Sequence, residues 1–253
     1  MSGAIWIRIL KILAVHVAFV LFWWGAVVVT GIPEYILPTP WQALATLSEP
    51  NFNWWRHTWA TTQEIFGGYI LATIVGVAVA VFFTWSRALD DTLMPLVVTL
   101  NMIPKVAMAP LFIVWLRFGI QTNIVITFTI CFFPILLNTA RGLREVEPEL
   151  LDLVRSLRGN RWQILTKIQL PGAMPYLISG MKVATVLAVA GAIVGEFIQS
   201  DRGLGWFMKV TQEALNTDAM VMALIIVTLI GAVLYGLVLL LEHFFIVQDA
   251  RVK

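Results

Sequence analysis

Charged and strongly polar side chains are scarce within the apolar stretches of this chain, so each one is a candidate for function. The densest group is Asn101, Pro104, Lys105 and Met108. Asn101 and Lys105 stand four apart and share a helical face, with Met108 three further on. Pro104 has no N–H to give, which frees the carbonyl of Leu100. A helix broken in this way is tolerated in a membrane where it faces protein or a water-filled cavity. A cationic lysine beside exposed backbone favours an anionic or polar solute, and a purely structural kink is the competing reading. Asn123 and Thr127, with Asn138, add polar groups to the next apolar run. They either line the same path or make hydrogen bonds between helices. Glu196 and Lys182 share a later run, about 21 Å apart along a helix and too distant to pair. Glu196 is followed closely by Ser200 and Asp201. Two readings are open for it: an anchor of an outer gate or receptor-facing turn, or a helix-end carboxylate bonded to the next loop. Lys182 is expected to snorkel towards the nearer interface.

A second group has a different character. Residues 151–175 read LDLVRSLRGNRWQILTKIQLPGAMP, a basic, amphipathic interruption of an apolar chain. Pro148 and its flanking acids suit the first turn of a helix. Leu150, Leu151, Val154 and Leu157 then recur at helical spacing. Gly159-Asn160 breaks that helix, and a second short one starts near Arg161 with Trp162, Leu165 and Ile168. Leu170-Pro171-Gly172 is expected to end it. Two short helices at an angle, apolar on one side and basic on the other, suit a groove on a soluble protein better than a lipid surface, which needs no bend.

The elements that position these groups are membrane helices. The chain has 253 residues, 59% hydrophobic and 13% charged, about half the charge of a soluble domain. An ordinary globular fold is thereby excluded. A single domain, 1–253, is expected to be all-α with six spans near 12–32, 65–83, 93–116, 120–140, 175–198 and 219–241, each long enough to cross. The first is too long for a signal peptide's apolar core, and His16 within it is expected to be packed. With the N-terminus inside, the inner side holds Arg8, Lys11, Arg87, Arg141, Arg144, Arg155, Arg158, Arg161, Lys167, Arg251 and Lys253. The outer side holds Arg56, Arg117, Arg202 and Lys209. Eleven against four places both termini and the loop 141–172 in the cytoplasm. Thr39-Pro40 reads as the start of a short outer helix through Leu47. Gly180, Ala184, Ala188 and Ala192, beside Gly191 and Gly195, form a small-residue ridge for close helix approach, within one subunit or between two. The single cysteine, Cys131, permits no intrachain disulfide and reads as a small buried hydrophobe. The sequence contains no Gly-x-x-x-x-Gly-Lys-Ser/Thr phosphate loop.

The loop 141–172 resembles the "EAA" loop of permease subunits of bacterial ABC importers. Asp152 falls at the motif's Glu, Val154 at its second Ala, and Ile168, Leu170 and Pro171 match as they stand. The motif's Gly falls on Arg158, with Gly159 one place later. Residues 32–40, Pro104–Pro110, Phe133–Asn138 and Val194–Phe197 are similar to the branch that imports nitrate, sulfonates, taurine and pyrimidine- or riboflavin-type compounds. The resemblance covers about Ile32 to Ile246. It implies the type I (MetI-like) permease fold in the bacterial inner membrane and a non-catalytic subunit. It further implies a homodimer with a second permease copy, a cytoplasmic ABC ATPase dimer that holds ATP and Mg, and a periplasmic or lipid-anchored solute-binding protein. Asp152, Val154, Arg155, Arg158, Gly159, Arg161, Trp162, Ile168, Leu170 and Pro171 would carry the coupling. This chain would bind no cofactor or metal and no nucleic acid. A self-sufficient secondary transporter or channel is the alternative; it would predict inverted repeats, and none relates the first three spans to the last three.

Overall fold

The computed structural model describes residues 2–245, side chains at a few of these positions excepted. Every regular element among them is helical. Helix α1 (Ser2–Thr30) ends where Gly31 turns to φ +63° and returns its N–H to the Val27 carbonyl. Thr39 then caps α2 (Pro40–Ala45) through a capping box with Gln42, as the Thr-Pro pair predicts, and a 3₁₀ turn at Thr46–Ser48 extends it. Asn53, at φ +46°, starts α3 (Trp54–Thr84), which is longer than the expected span and begins well before Ile65.

The expected third span is not one rod. It is α4 (Arg87–Asn101) and α5 (Ala109–Leu116), joined through a 3₁₀ turn at Lys105–Met108 and bent by 79°. Pro95 sits inside α4 and Pro110 in the first turn of α5, so only Pro104 marks the break. Helix α6 (Ile120–Arg144) is followed by α7 (Pro148–Ser156) and α8 (Arg161–Ile164). A π-helical stretch, Leu165–Gln169, leads directly into α9 (Leu170–Gln199). Leu170-Pro171-Gly172 therefore does not end the preceding helix. Pro171 lacks a donor, and the wider turn absorbs it, with Leu170 N–H reaching back five residues to Leu165. Short α10 (Leu204–Glu213) and long α11 (Thr217–Phe245) complete the described residues. Five of these helices are long and apolar enough to cross a membrane, six if the bent pair is one span.

Helices α3, α6 and α9 form the centre, and glycines set their spacing. A Cβ on Gly68 would meet Thr127 at 2.5 Å, one on Gly180 would meet Asn138 at 2.9 Å, and one on Gly195 would meet Asn123 at 2.7 Å. The small ridge of α9 is thus covered by α6 of the same chain, with Ala184, Ala188 and Ala192 fully buried. Cys131 is buried beside it, its thiol on the Ala184 carbonyl at 3.3 Å. Helix α1 stands apart: most of its described side chains are exposed. His16 is not packed as expected, its Nδ1 lying 2.8 Å from the Ile12 carbonyl of its own helix.

Candidate functional site

At the break between α4 and α5 the last turn of α4 tightens. Met102 N–H donates to Thr99 O at 3.0 Å, and Ile103 N–H to Leu100 O at 3.3 Å. The Leu100 carbonyl, expected to be free, is therefore taken by a 3₁₀-type bond. The Lys105 ammonium folds back onto Asn101, donating to its carbonyl and, at 2.6 Å, to its Oδ1. It also lies 4.6 Å from the centre of the Phe133 ring, a cation–π contact. Asn101 and Lys105 are brought together, Pro104 is exposed, and Met108 is half-buried against Ala109, Phe112 and Ile126. Met102, Ile103 and Val106 are exposed around them.

Asn123 and Thr127 do not join that group. Both are buried where α3, α6 and α9 meet. Asn123 Nδ2 donates to Glu64 Oε1 at 2.9 Å, a bond between helices. Thr127 packs against Gly68 and Gly191, and its hydroxyl has no partner among the described residues.

Glu196 is fully buried in a third place. Its Oε1 accepts from the Thr61 hydroxyl at 2.6 Å, and its Oε2 accepts from Gly205 N–H. Leu204 N–H donates to Thr61 Oγ at 2.7 Å, and Gly203 N–H to His57 Nδ1 at 3.2 Å. The first N–H groups of α10 are thus capped by side chains of α3 and α9. His57 also stacks on Trp206, ring centres 5.2 Å apart. A Cβ on Gly203 would lie 2.1 Å from Glu196 Oε1, so glycine is required there both for space and for φ +105°. Of the two readings of Glu196, the carboxylate bonded to the next loop describes this geometry. Sequence reasoning missed His57, Thr61 and Glu64. Glu64 stands one residue before the charge-free window that defined the second span, so the criterion for a span hid it. Lys182 does not simply snorkel: its Nζ lies 2.7 Å from Glu242 on α11.

The loop between α6 and α9 is bent by local signals. Gly159 N–H returns to Val154 O at 2.8 Å while Arg158 adopts φ +56°, the geometry of a glycine-type helix stop. Arg158, at the motif's Gly position, thus takes the conformation a glycine would take. Gly159 packs on Val154, where a Cβ would meet Cγ1 at 2.3 Å. Asn160 caps α8 through a capping box with Gln163. Arg161 and Trp162 are exposed, Ile168 and Leu170 half-buried, and Pro171 exposed. Asp152 is exposed on α7, and the Arg155 side chain lies outside the described set. Leu165 is buried, and Gln169 Nε2 donates to Leu143 O at 3.1 Å, which ties the loop's end to α6.

Residues 68–246 match the family model "Binding-protein-dependent transport system inner membrane component". The chain is 32% identical, over 95% of its length and 98% of the relative's, to a probable ABC transporter permease protein of Haemophilus influenzae. It is 34% identical to the riboflavin transport system permease protein RibX of Chloroflexus aurantiacus, over 90% and 86% of the two chains. Its fold is similar to that of a chain in the inward-facing MetNI methionine ABC transporter, with TM-score 0.68 at 20% identity, covering 79% of this chain and 100% of that one. The chain therefore belongs to the binding-protein-dependent inner membrane components: it is a non-catalytic, multi-pass permease subunit of an ABC importer.

Proposed function

We propose that this permease forms, with a second copy of itself, the path of an importer for a small polar solute, and that α7 and α8 dock it onto a cytoplasmic ATPase dimer. One observation carries the docking. The bent pair is fixed by its own caps yet leaves Leu150, Leu153, Leu157 and Trp162 exposed, Leu157 by 73% and Trp162 by 62%. Apolar groups held rigidly outside a fold mark an interface. Arg158 and Arg161 border them. Both termini and this loop are then cytoplasmic, in line with the lysine and arginine bias. ATP and Mg are held by the ATPase, and a periplasmic or lipid-anchored binding protein delivers solute at the opposite face. Closure of the ATPase favours one of two permease conformations by its differential affinity for them.

Lys105, Asn101, Pro104 and Met108 are the path residues of this reading. Asn123, Thr127 and Glu196 are set aside as path candidates because they are buried within the subunit. The Lys105 ammonium is already engaged by Asn101 and the Phe133 face, which weakens the case for an anion site. Together with the riboflavin relative, this favours a planar, uncharged heteroaromatic solute over nitrate or a sulfonate.

The test is Trp162→Asp combined with Leu157→Asp. The expected result is a folded permease that no longer co-purifies with its ATPase and no longer transports. If the variant still binds the ATPase and drives uptake, the docking assignment is wrong. Solute uptake by the purified permease in liposomes without ATPase would instead establish a self-sufficient transporter.

A further inference from the structure

Glu64 and Glu196 are both fully buried and neighbours: Thr61, one turn before Glu64 on α3, donates to Glu196 Oε1 at 2.6 Å, and Asn123, which donates to Glu64 Oε1 at 2.9 Å, packs against Gly195 beside Glu196. The donors around them are unevenly shared. Glu196 receives the Thr61 hydroxyl on one oxygen and Gly205 N–H on the other, so both of its oxygens act as acceptors, as an ionised carboxylate's do. Glu64 receives Asn123 Nδ2 on Oε1, while its buried Oε2 has no donor from any described residue. The groups that face the pair are few. On α3 it is His57, whose Nδ1 is engaged by Gly203 N–H; Arg56 beside it is exposed. In the turn after α9 they are Asp201 and Arg202, paired with each other at 3.4 Å. On α6 the facing group is the neutral Asn123. No cation reaches either carboxyl by a salt bridge among the described residues. Two ionised carboxylates side by side in a buried site would repel, and the nearby cation, Arg202, is itself paired with Asp201. A proton on Glu64 Oε2 removes the repulsion and supplies the missing hydrogen bond, donated to Glu196.

We propose that Glu64 and Glu196 form a carboxyl pair that holds one proton, and that Glu64 is a positioning residue which, through Glu196, keeps the N-terminus of α10 docked on α3 and α9. The charge of Glu196 lies at the positive end of the α10 dipole, with which it interacts favourably. The proton on Glu64 lets that charge sit there without a second one beside it. Loss of the proton would place two negative charges against each other and drive the turn at residues 200–203 off α3. The docking of α10 is then linked to proton occupancy, and an alkaline medium on its face undocks it.

The test has two independent readouts. Difference infrared spectroscopy of the permease in lipid nanodiscs, wild type against Glu64→Gln, reads the carbonyl stretch of a protonated carboxylic acid directly and needs neither ATPase nor solute. The expected result is one such band in the wild type that is absent in Glu64→Gln. Its absence from the wild type, or its survival in Glu64→Gln, overturns the pair. The second readout, ATP-driven uptake by the complete transporter, rests on the docking reading above, so its failure is distinguishable from failure of the infrared result. Glu64→Gln retains the hydrogen-bond donor without the titration. It is expected to transport within about twofold of wild type at neutral pH and to lose the wild-type fall in uptake as the pH at the α10 face rises. Glu64→Ala, which lacks the donor, is expected to lose uptake by more than about tenfold while still binding the ATPase. Identical alkaline profiles for wild type and Glu64→Gln would show that Glu64 is only structural.

Discussion

Helix α9 joins two ends built on opposite plans. At its Glu196 end, α10 has no cap of its own: the N–H groups of Gly203, Leu204 and Gly205 are met by side chains from α3 and α9, with Gly203 leaving room for the carboxylate. At its Leu170 end, α7 and α8 are closed by residues of their own segment, Arg158, Gly159, Asn160 and Gln163. Their apolar side chains stay outside. The first end is shaped by long-range contacts that bury its polar groups within the subunit. The second is shaped by its own segment, and in the docking proposed above its exposed apolar groups meet the ATPase. The two ends thus draw their rigidity from different sources, distant side chains at one and neighbouring residues at the other.

The strongest way to break this contrast is at Gly203. Gly203→Ala places a Cβ inside the Glu196 carboxylate and a side chain at φ +105°. The expected loss is about 3 kcal/mol of stability, from strain and the disrupted buried cap together. A thermal unfolding curve of the purified permease would show it as a large drop in midpoint. An unchanged midpoint would mean that α10 is held by its apolar face alone, and the contrast would fail.

The opposite end should respond locally. Asn160→Ala removes the cap of α8 at a cost of about 1 kcal/mol. Because the segment is tied to the core mainly through Leu165 and Gln169, that cost should appear as faster hydrogen exchange at residues 161–164 and leave the global midpoint nearly unmoved. Arg158→Gly should act in the other direction. It relieves a left-handed conformation in a residue with a Cβ, worth about 1 kcal/mol, and should slow exchange of Gly159 N–H. If Arg158→Gly speeds that exchange, the bend is imposed by something other than the local chain.

The two plans also explain what the sequence could and could not reveal. Caps and breaks at the Leu170 end are local in sequence, so Gly159-Asn160 and the start at Arg161 were legible, as was Thr39-Pro40 in the other loop. The spans were legible from apolar length, although their starts were not: α3 begins at Trp54, where the left-handed turn at Asn53, and not hydropathy, sets its start. The pairing of Glu196 with Thr61, across 135 residues, leaves no local trace. Nor does the bend of 79° at Pro104, because a proline can kink a helix slightly or break it, and packing of Met108 and Phe112 on α6 decides which. The continuous helix through Pro171 was missed for a related reason, since a π turn cancels the usual meaning of proline.

The smallest effect concerns the contact that belongs to neither end. Lys182 and Glu242 join α9 to α11 at 2.7 Å, with side chains 27% and 36% exposed. Lys182 was legible as a charge near an interface, whereas its partner Glu242, just past the expected end of the last span, was not singled out. Their exposure argues for a weak contact, because partly solvated ions gain little from each other beyond what water gives them. A double-mutant cycle with Lys182→Met and Glu242→Leu is expected to give a coupling below about 1 kcal/mol, with the double variant close to wild type. A single variant should cost more than the double, since it leaves one charge near the membrane without its partner. A coupling of several kcal/mol would place this pair beside the Glu196 cap as a long-range polar tie. The division along α9 would then lie not between its two ends but between the loop 141–172 and the rest of the helix.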